Sequence, residues 1–342
     1  MSFILDKKSK ILIIGSKNNF SLESIYFKTF KHLNYNIDFL NINKSLSSRI
    51  IASIKKYFSE LNYKFLRKKL IYLLNKKNKK YDLIIFFKTI FLDKKTLQKV
   101  KLINKGGVYI NIFPDDPLNI KNPIISNKSF LDTINEFDYF CIWSQKILKK
   151  LKKKFKSKFL YLPFGFDSLS TFKLRNYLKN KRKDELNFIG TFDQNRHDIL
   201  SSINIKKKIY GGNWINLNTK RMKNALIGKH IYGKDIFKIM NSSAISLNIL
   251  REQNYSAHNM RTFEIPAYNG LMLTTRSAEQ NKFFRENKAC FMFSSKKELK
   301  SKINFILKNP KKSEKVRKYG NYLVQKHSYI NRVKFLLKEI NR

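Results

Sequence analysis

The sequence predicts an α/β protein built from two successive units, each a parallel sheet covered by helices. Three observations predict it. Short apolar runs recur with helix-patterned segments between them, which is the alternation of a parallel sheet buried on both faces. Several runs end in glycine, as residues 10–15 and 186–190 do, marking a buried strand that enters a tight turn. The alternation pauses once, at Pro163-Phe164-Gly165-Phe166-Asp167 and the basic stretch 173–185, and then starts again. Boundaries of 1–168, 169–325 and a terminal helical segment 326–342 follow.

The elements of the first unit come in order. Residues 10–15 form an apolar strand, and Ser21 caps a helix reaching about Leu33. Residues 36–40 give a second strand. A helix over 49–75 carries lysines on its outer face, and 81–87 is a third strand. The helix at 94–105 is stopped by Gly106-Gly107. The strand 108–113 runs into Pro114-Asp115-Asp116-Pro117, and strands at 137–143 and 159–162 complete the set. In the second unit, a strand at 186–190 precedes a helix at 194–202, a short strand and turn at 209–214, a helix at 234–241 and a strand at 244–250. His258 to Gly270 reads as a short helix stopped by Gly270, followed by the buried strand Leu271-Met272-Leu273-Thr274. A helix at 278–286, a strand at 290–293 and helices at 296–307, 313–327 and 329–340 close the chain. Two such sheets facing a cleft would bind ligands at the carboxyl ends of their strands.

Composition narrows the function classes. The 342 residues include 29 Phe and 17 Tyr and are 42% hydrophobic, which is ample for packed cores and too aromatic for a disordered chain. No apolar run approaches ~18 residues, so no membrane-spanning helix is expected. The charged start of the chain does not suit a signal peptide. Cys141 and Cys290 sit among apolar neighbours and read as buried thiols, consistent with a reduced, cytoplasmic setting. The net charge is +47, from 71 Lys+Arg against 24 Asp+Glu. The lysines are spread along the chain, and Lys, Asn, Ile, Phe and Tyr are all abundant, so biased coding explains most of the excess. The physical consequence is weak, salt-dependent attraction to polyanions. A lysine-rich region at 49–80 is the expected point of peripheral contact with an anionic membrane.

The segments with chemical potential lie mostly in the second half. Arg261 and Glu264 are three residues apart and share one helix face. Phe188-Ile189-Gly190-Thr191 followed by Arg196 is a strand-glycine turn with a cation behind it. With these residues, the chain resembles the group 1 glycosyltransferases of the GT-B fold, in particular the CgeB-like, spore-maturation-protein-like branch. The segment 261–264 with Gly270, the stretch 293–299, Leu307-Lys308-Asn309-Pro310 and 327–332 are similar to that branch in the expected order. The resemblance covers most of 186–337 and is weaker in the first half. It implies Rossmann-like acceptor-side and donor-side domains, with a closing helix that returns to the first. It also implies transfer of a sugar from a nucleotide-diphosphate donor to a glycan, lipid-linked or protein acceptor. One departure stands out: many group 1 enzymes carry a second glutamate eight positions earlier, and here that position is Ser256.

The roles implied for each residue have plainer alternatives. Glu264 suits a ribose diol, because a carboxylate accepts two hydrogen bonds; otherwise it is a solvated helix acid. Arg261 suits the diphosphate, or simply pairs with Glu264. Asn259 and His258 precede the helix and are a cap and an anion donor respectively, or an ordinary cap and an exposed loop histidine. Gly190 and Thr191 bring a backbone amide to a phosphate or sugar oxygen, and Arg196 follows them. Asn248 and Arg251 end their strand on the ligand side. Asp115 and Asp116, between two prolines, are candidates for the base that takes the acceptor proton; turn chemistry explains them equally well. Gly15 and Ser16 border the acceptor side. No Asp-x-Asp pair suits a nucleotide-bound divalent ion, so the expectation is metal-independent transfer with no cofactor beyond the nucleotide-sugar co-substrate. Two other functions remain as alternatives: a basic nucleic-acid-binding protein, and a catalytically idle GT-B protein that binds glycans or scaffolds an assembly.

Overall fold

The computed structural model describes residues 4–42, 55–119, 127–174, 182–214, 222 and 225–342, with the side chains of 55–59 left aside. It divides into two compact units, one of Met1–Pro163 with Arg332–Arg342, the other of Phe164–Asn331.

The first unit is a six-stranded parallel sheet in the order β2-β1-β3-β4-β5-β6. Its strands are β1 (Lys10–Gly15), β2 (Asn36–Asn41), β3 (Leu83–Phe87), β4 (Val108–Phe113), β5 (Tyr139–Ile142) and β6 (Lys158–Tyr161). Every residue of β3, LIIFF, is buried, as a central parallel strand covered on both faces requires. The helices are α1 (Leu22–His32), capped by the Ser21 hydroxyl as expected, α2 (Lys55–Lys77) and α3 (Lys94–Ile103). The short α4 (Lys128–Leu131) and α5 (Gln145–Lys152) are additions to the expected set. Helix α5 is capped by Ser144 and buries only Ile147 and Leu151, a signal of two core contacts in eight residues. The expected helix over 49–75 begins outside the described residues, as does part of the lysine-rich region. Strand order reverses between β1 and β3, so the switch point lies beside Gly15 and Lys88. At the chain's end, the side chain of Asn341 pairs with both backbone groups of Leu5 at 2.9 and 3.0 Å, and Arg332 Nε donates to the Pro163 carbonyl at 3.0 Å. The last residues of the chain are therefore part of the first unit.

The second unit repeats the plan in the order β12-β11-β10-β7-β8-β9, again parallel throughout. Its strands are β7 (Lys183–Ile189), β8 (Lys207–Tyr210), β9 (Ala225–Gly228), β10 (Ser243–Asn248), β11 (Met272–Thr275) and β12 (Phe291–Phe293). Strand β9 was not expected. The helices are α6 (Ser168–Lys173), α7 (Gln194–Ser201), α8 (Lys234–Ser242), α9 (Arg261–Ala267), α10 (Ala278–Phe283), α11 (Lys296–Lys308) and α12 (Pro310–Val324), while α13 (Tyr329–Ile340) belongs from Arg332 onward to the first unit. Helix α12 starts three residues before the expected Ser313, because Pro310 takes the first helical position, where its missing N–H is no loss. The core joins Leu186, Phe188, Ile245, Leu247, Leu273 and Phe291 from the sheet with Leu200, Leu299 and Ile303 from its helices. The chain moves outward from β7 through β8 to β9 and returns to the other side of β7 as β10. The switch point of this unit is thus the β7/β10 pair.

The end of α9 corrects one expectation. Gly270 does not stop the helix by its own conformation: Asn269 adopts the left-handed one, at φ 61°. The Gly270 amide then donates to Ile265 and the Asn269 amide to Pro266, a Schellman closure. Gly270 matters for space, since a Cβ there would lie 2.9 Å from Ser246 Oγ.

Candidate functional site

The carboxyl ends of β7 and β10 release two loops side by side, Gly190–Asp193 and Ile249–Arg251. Arg196, on α7 and only 7% exposed, joins them. Its Nη1 donates to the Thr191 carbonyl at 2.8 Å, and its Nη2 and Nε donate to the Ile249 carbonyl at 2.8 and 3.2 Å. Burial pulls its pKa down to about 10. Arg196 therefore holds the floor of the switch point together; the ligand grip expected of it is already used on backbone. Asp193 caps α7 by accepting from the Arg196 amide at 3.0 Å. Arg251 is largely exposed, with its Nε 3.8 Å from Asp193 Oδ2.

Gly190 keeps its predicted place at the strand end. Its amide donates to Tyr210, and its carbonyl accepts from Trp214 Nε1 at 2.7 Å. A Cβ on the neighbouring Gly211 would overlap that carbonyl oxygen, so the β7 and β8 ends approach this closely only with glycine. Between the bonded amides of Gly190 and Phe192, the Thr191 amide has no partner among the described residues.

Above this floor lies the start of α9. Arg261 Nε donates to the Ile189 carbonyl at 3.2 Å, fixing the helix to the last residue of β7. Arg261 Nη1 pairs with Glu264 Oε2, the ion pair that their spacing foretells. Both side chains keep some solvent exposure, 25% and 14%. Arg261 Nη2 and Glu264 Oε1 have no partner among the described residues. Among the described residues, one guanidinium nitrogen and one carboxylate oxygen of α9 and one backbone amide in the loop after β7 are thus left without a partner.

Other expected residues turn inward. His258 has no exposed surface. Its Nε2 accepts from the Phe164 amide at 3.2 Å, and its Nδ1 donates to Glu279 at 3.1 Å, with the rings of Phe263 and Phe283 packed on its edges. An accepting Nε2 fixes the neutral, Nδ1-protonated tautomer. The residue is an interior hydrogen-bonding partner and not the loop donor expected from sequence. Asn259 does cap: its Oδ1 accepts from the Thr262 amide at 3.1 Å, and Thr262 Oγ1 accepts from the Asn259 amide at 3.2 Å. Asn248, 2% exposed, exchanges bonds of 2.9 and 3.1 Å with Asn259. Gln280 Oε1 accepts from Thr262 and Thr274 at 2.8 and 3.0 Å, closing a buried polar network across β10, α9, β11 and α10. Gln280, Thr262 and Thr274 were not anticipated. The Asn259-to-Thr262 spacing, a capping pattern, was the one local signal.

At the switch point of the first unit, Asp115 is paired with Lys88, while Asp116 Oδ1 accepts from the Leu118 amide at 2.9 Å in a turn. Gly15 gives room to Glu23, whose Cγ would lie 2.7 Å from a Cβ at that position. Burial raises the Glu23 pKa above the usual carboxylate range, against the pull of Ser21, the Ser16 amide and Lys88. Glu23 and Lys88 were not anticipated either; an acid in the first turn after a glycine-ended strand was the available sign.

Residues 194–338 match a family model described as glycosyl transferase-like. A search of curated proteins gave no match. Among solved structures, a glycosyltransferase from Rickettsia africae ESF-5 is similar with a TM-score of 0.64 at 13% identity, over 98% of this chain and 99% of that one. Anabaena HepE in complex with UDP-glucose is similar with a TM-score of 0.63 at 12% identity, over 96% and 100%. Sucrose-phosphate synthase from Thermosynechococcus elongatus is similar with a TM-score of 0.68 at 9% identity, over 97% and 98%. The fold is GT-B. The GT-B assignment fits two six-stranded parallel units with ligand-side switch points, and the matched segment 194–338 contains α9 and the whole Asn248–Gln280 network.

Proposed function

We propose that this protein is a group 1, CgeB-like glycosyltransferase that moves a hexose from a nucleoside-diphosphate donor to a glycan, lipid-linked or protein acceptor. The observation that carries the reading is the pair of open valences on one helix turn, Glu264 Oε1 and Arg261 Nη2, beside the unpartnered Thr191 amide. Glu264 would accept from the ribose diol while its other oxygen stays on Arg261. Arg261 Nη2 and the Thr191 amide would face the diphosphate, whose charge grows as the sugar departs. The N-terminus of α7 already holds the Asp193 carboxylate, which leaves the phosphates to Arg261, Thr191 and the exposed Arg251. In this reading the chain's own cations stabilise the leaving group without a divalent ion, and the nucleotide sugar is the only small-molecule requirement. Because HepE is described with UDP-glucose, a uridine donor is the first to test. Of the two first-unit aspartates, Asp115 is assigned to receive the acceptor proton, since Asp116 serves a turn.

The test is release of nucleoside diphosphate from a panel of nucleotide sugars, with donor binding followed by calorimetry. The expected result is turnover or tight binding of one donor, lost in Glu264→Ala. No binding of any donor by the wild type would overturn the reading; equal donor affinity in Glu264→Ala would remove that residue from it.

A further inference from the structure

Helix α12 has two unlike faces. Its inner face is fixed by close packing. Val316, Gly320 and Val324 are buried, and a Cβ on Gly320 would lie 2.4 Å from the Ala289 carbonyl oxygen. Asn321 Nδ2 donates to the Pro266 carbonyl at 2.7 Å, and Ser313 Oγ donates to the Ile306 carbonyl at 3.1 Å. The outer face carries Lys311, Lys315, Lys318, Tyr319 and Tyr322, all exposed. At about 100° per residue, these side chains fall within roughly a third of the helix circumference. Tyr319 and Tyr322 are 46% and 64% exposed, and their rings stack on each other with centroids 6.2 Å apart at 22°. Lys312 widens the cationic strip toward α11, its ammonium 5.3 Å from the centre of the Phe305 ring.

We propose that this face of α12 docks on the headgroups of an anionic lipid bilayer. All 24 acids of the chain lie among the described residues, and the one on α12, Glu314, is held by Arg317 through a bond of 2.7 Å. The exposed lysines thus meet a polyanionic plane with no unpaired acid on their own helix, and each adds attraction within a Debye length of the surface. Lysine alone does not single out α12. Helix α5 exposes Lys146, Lys149 and Lys150 but no large apolar side chain. Helix α12 differs by setting two phenol rings among its cations. A ring with an apolar body and a polar tip suits the headgroup level of a bilayer. A lysine beside it keeps its ammonium at the phosphates while its stem lies along the apolar layer. A single-stranded nucleic acid would ask instead for a groove that follows its phosphates and for ring faces open to successive bases. One convex helix whose two rings stack on each other offers neither, which favours a broad lipid surface. The face belongs to the second unit, apart from the region 49–80 that sequence marks, and it uses no group of the switch-point site.

Co-sedimentation at low ionic strength with phosphatidylcholine vesicles containing about 30% phosphatidylglycerol tests the assignment. The wild type should bind these vesicles and not phosphatidylcholine alone. Lys315→Glu with Lys318→Glu should lower the affinity by about tenfold or more. Tyr319→Ala with Tyr322→Ala should lower it by about threefold or more. Lys149→Glu with Lys150→Glu on α5 removes the same charge and should change it by less than about twofold. No binding of the anionic vesicles by the wild type overturns the proposal. So does an equal loss in the α5 and α12 lysine variants, which would mean that only the diffuse charge is felt. Affinity unchanged by the tyrosine substitutions overturns it as well. Binding of a thymidine oligonucleotide that is tighter than vesicle binding and is lost in the α12 variants would replace the lipid surface with a nucleic acid. The substituted side chains are exposed, and circular dichroism checks that each variant is folded. No nucleotide sugar enters the experiment, so its outcome is independent of the glycosyltransferase reading.

Discussion

At the residue scale, three side chains of one sign or another do different work at the β7/β10 switch point. Arg196 is structural: its removal would leave the Thr191 and Ile249 carbonyls without their donors and take from Asp193 the nearer of its two arginines. Arg196→Ala is expected to lower unfolding stability by about 3 kcal/mol, read as a lower denaturant midpoint. Arg261 and Glu264 instead keep open valences. Glu264→Ala is expected to weaken donor binding roughly 10- to 100-fold, the loss of one charge-assisted hydrogen bond, with little change in stability. Arg261→Lys is expected to behave similarly, because an ammonium gathers its donors on one nitrogen and lacks the planar fork whose separate nitrogens reach the Ile189 carbonyl, Glu264 and a ligand. Calorimetric titration with the donor checks both.

At the element scale, the position of α9 depends on neighbours distant in sequence. Asn248 from β10 bonds to Asn259 and Gln280 from α10 to Thr262 at its start, and Thr274 from β11 joins them through Gln280. Gln280→Leu would leave several buried hydroxyl and amide groups unpaired, and a loss of about 2–3 kcal/mol in stability is expected, with weaker donor binding because Arg261 and Glu264 shift with the helix. A second cluster ties β11 and β12 to α11. Arg276 binds Glu286 at 2.8 Å and Glu298 at 2.5 Å, and its hydrogen bonds hold the Glu298 pKa down to about 2. A depressed folded pKa means the contribution is present above the ordinary carboxylate value near 4.5 and is lost as pH falls toward 2. Thermal unfolding measured across that window should fall more steeply for the wild type than for Glu298→Gln, which has no proton to bind there.

At the scale of the whole molecule, the +47 charge dominates. Association with anionic vesicles is expected at low ionic strength and should weaken steeply as salt approaches physiological strength, in a co-sedimentation series. Binding that persists unchanged at high salt would point to apolar insertion instead. Among the described residues no helix is long and apolar enough to cross a membrane.

The alternation of apolar runs with helical segments was enough to determine two parallel α/β units. Each run is long enough to be buried on both faces, and burial of a strand depends on its own composition. The pairing of Arg261 with Glu264 was equally legible, because three residues is one helical turn. Short elements were not: α4, α5, α6 and β9 have four to eight residues each, too few for a periodic signal. Nor did local sequence separate inward from outward polar residues. His258, Asn248 and Arg196 have the types and positions of ligand-binding groups, yet their partners are Phe164, Glu279, Asn259 and Ile249, which are brought near only when the sheet assembles. Which residues stand on the ligand side of the chain is a property of a strand order and its helices. Which of their hydrogen-bonding atoms remain free for a ligand is decided by long-range contacts, and only the tertiary structure contains those.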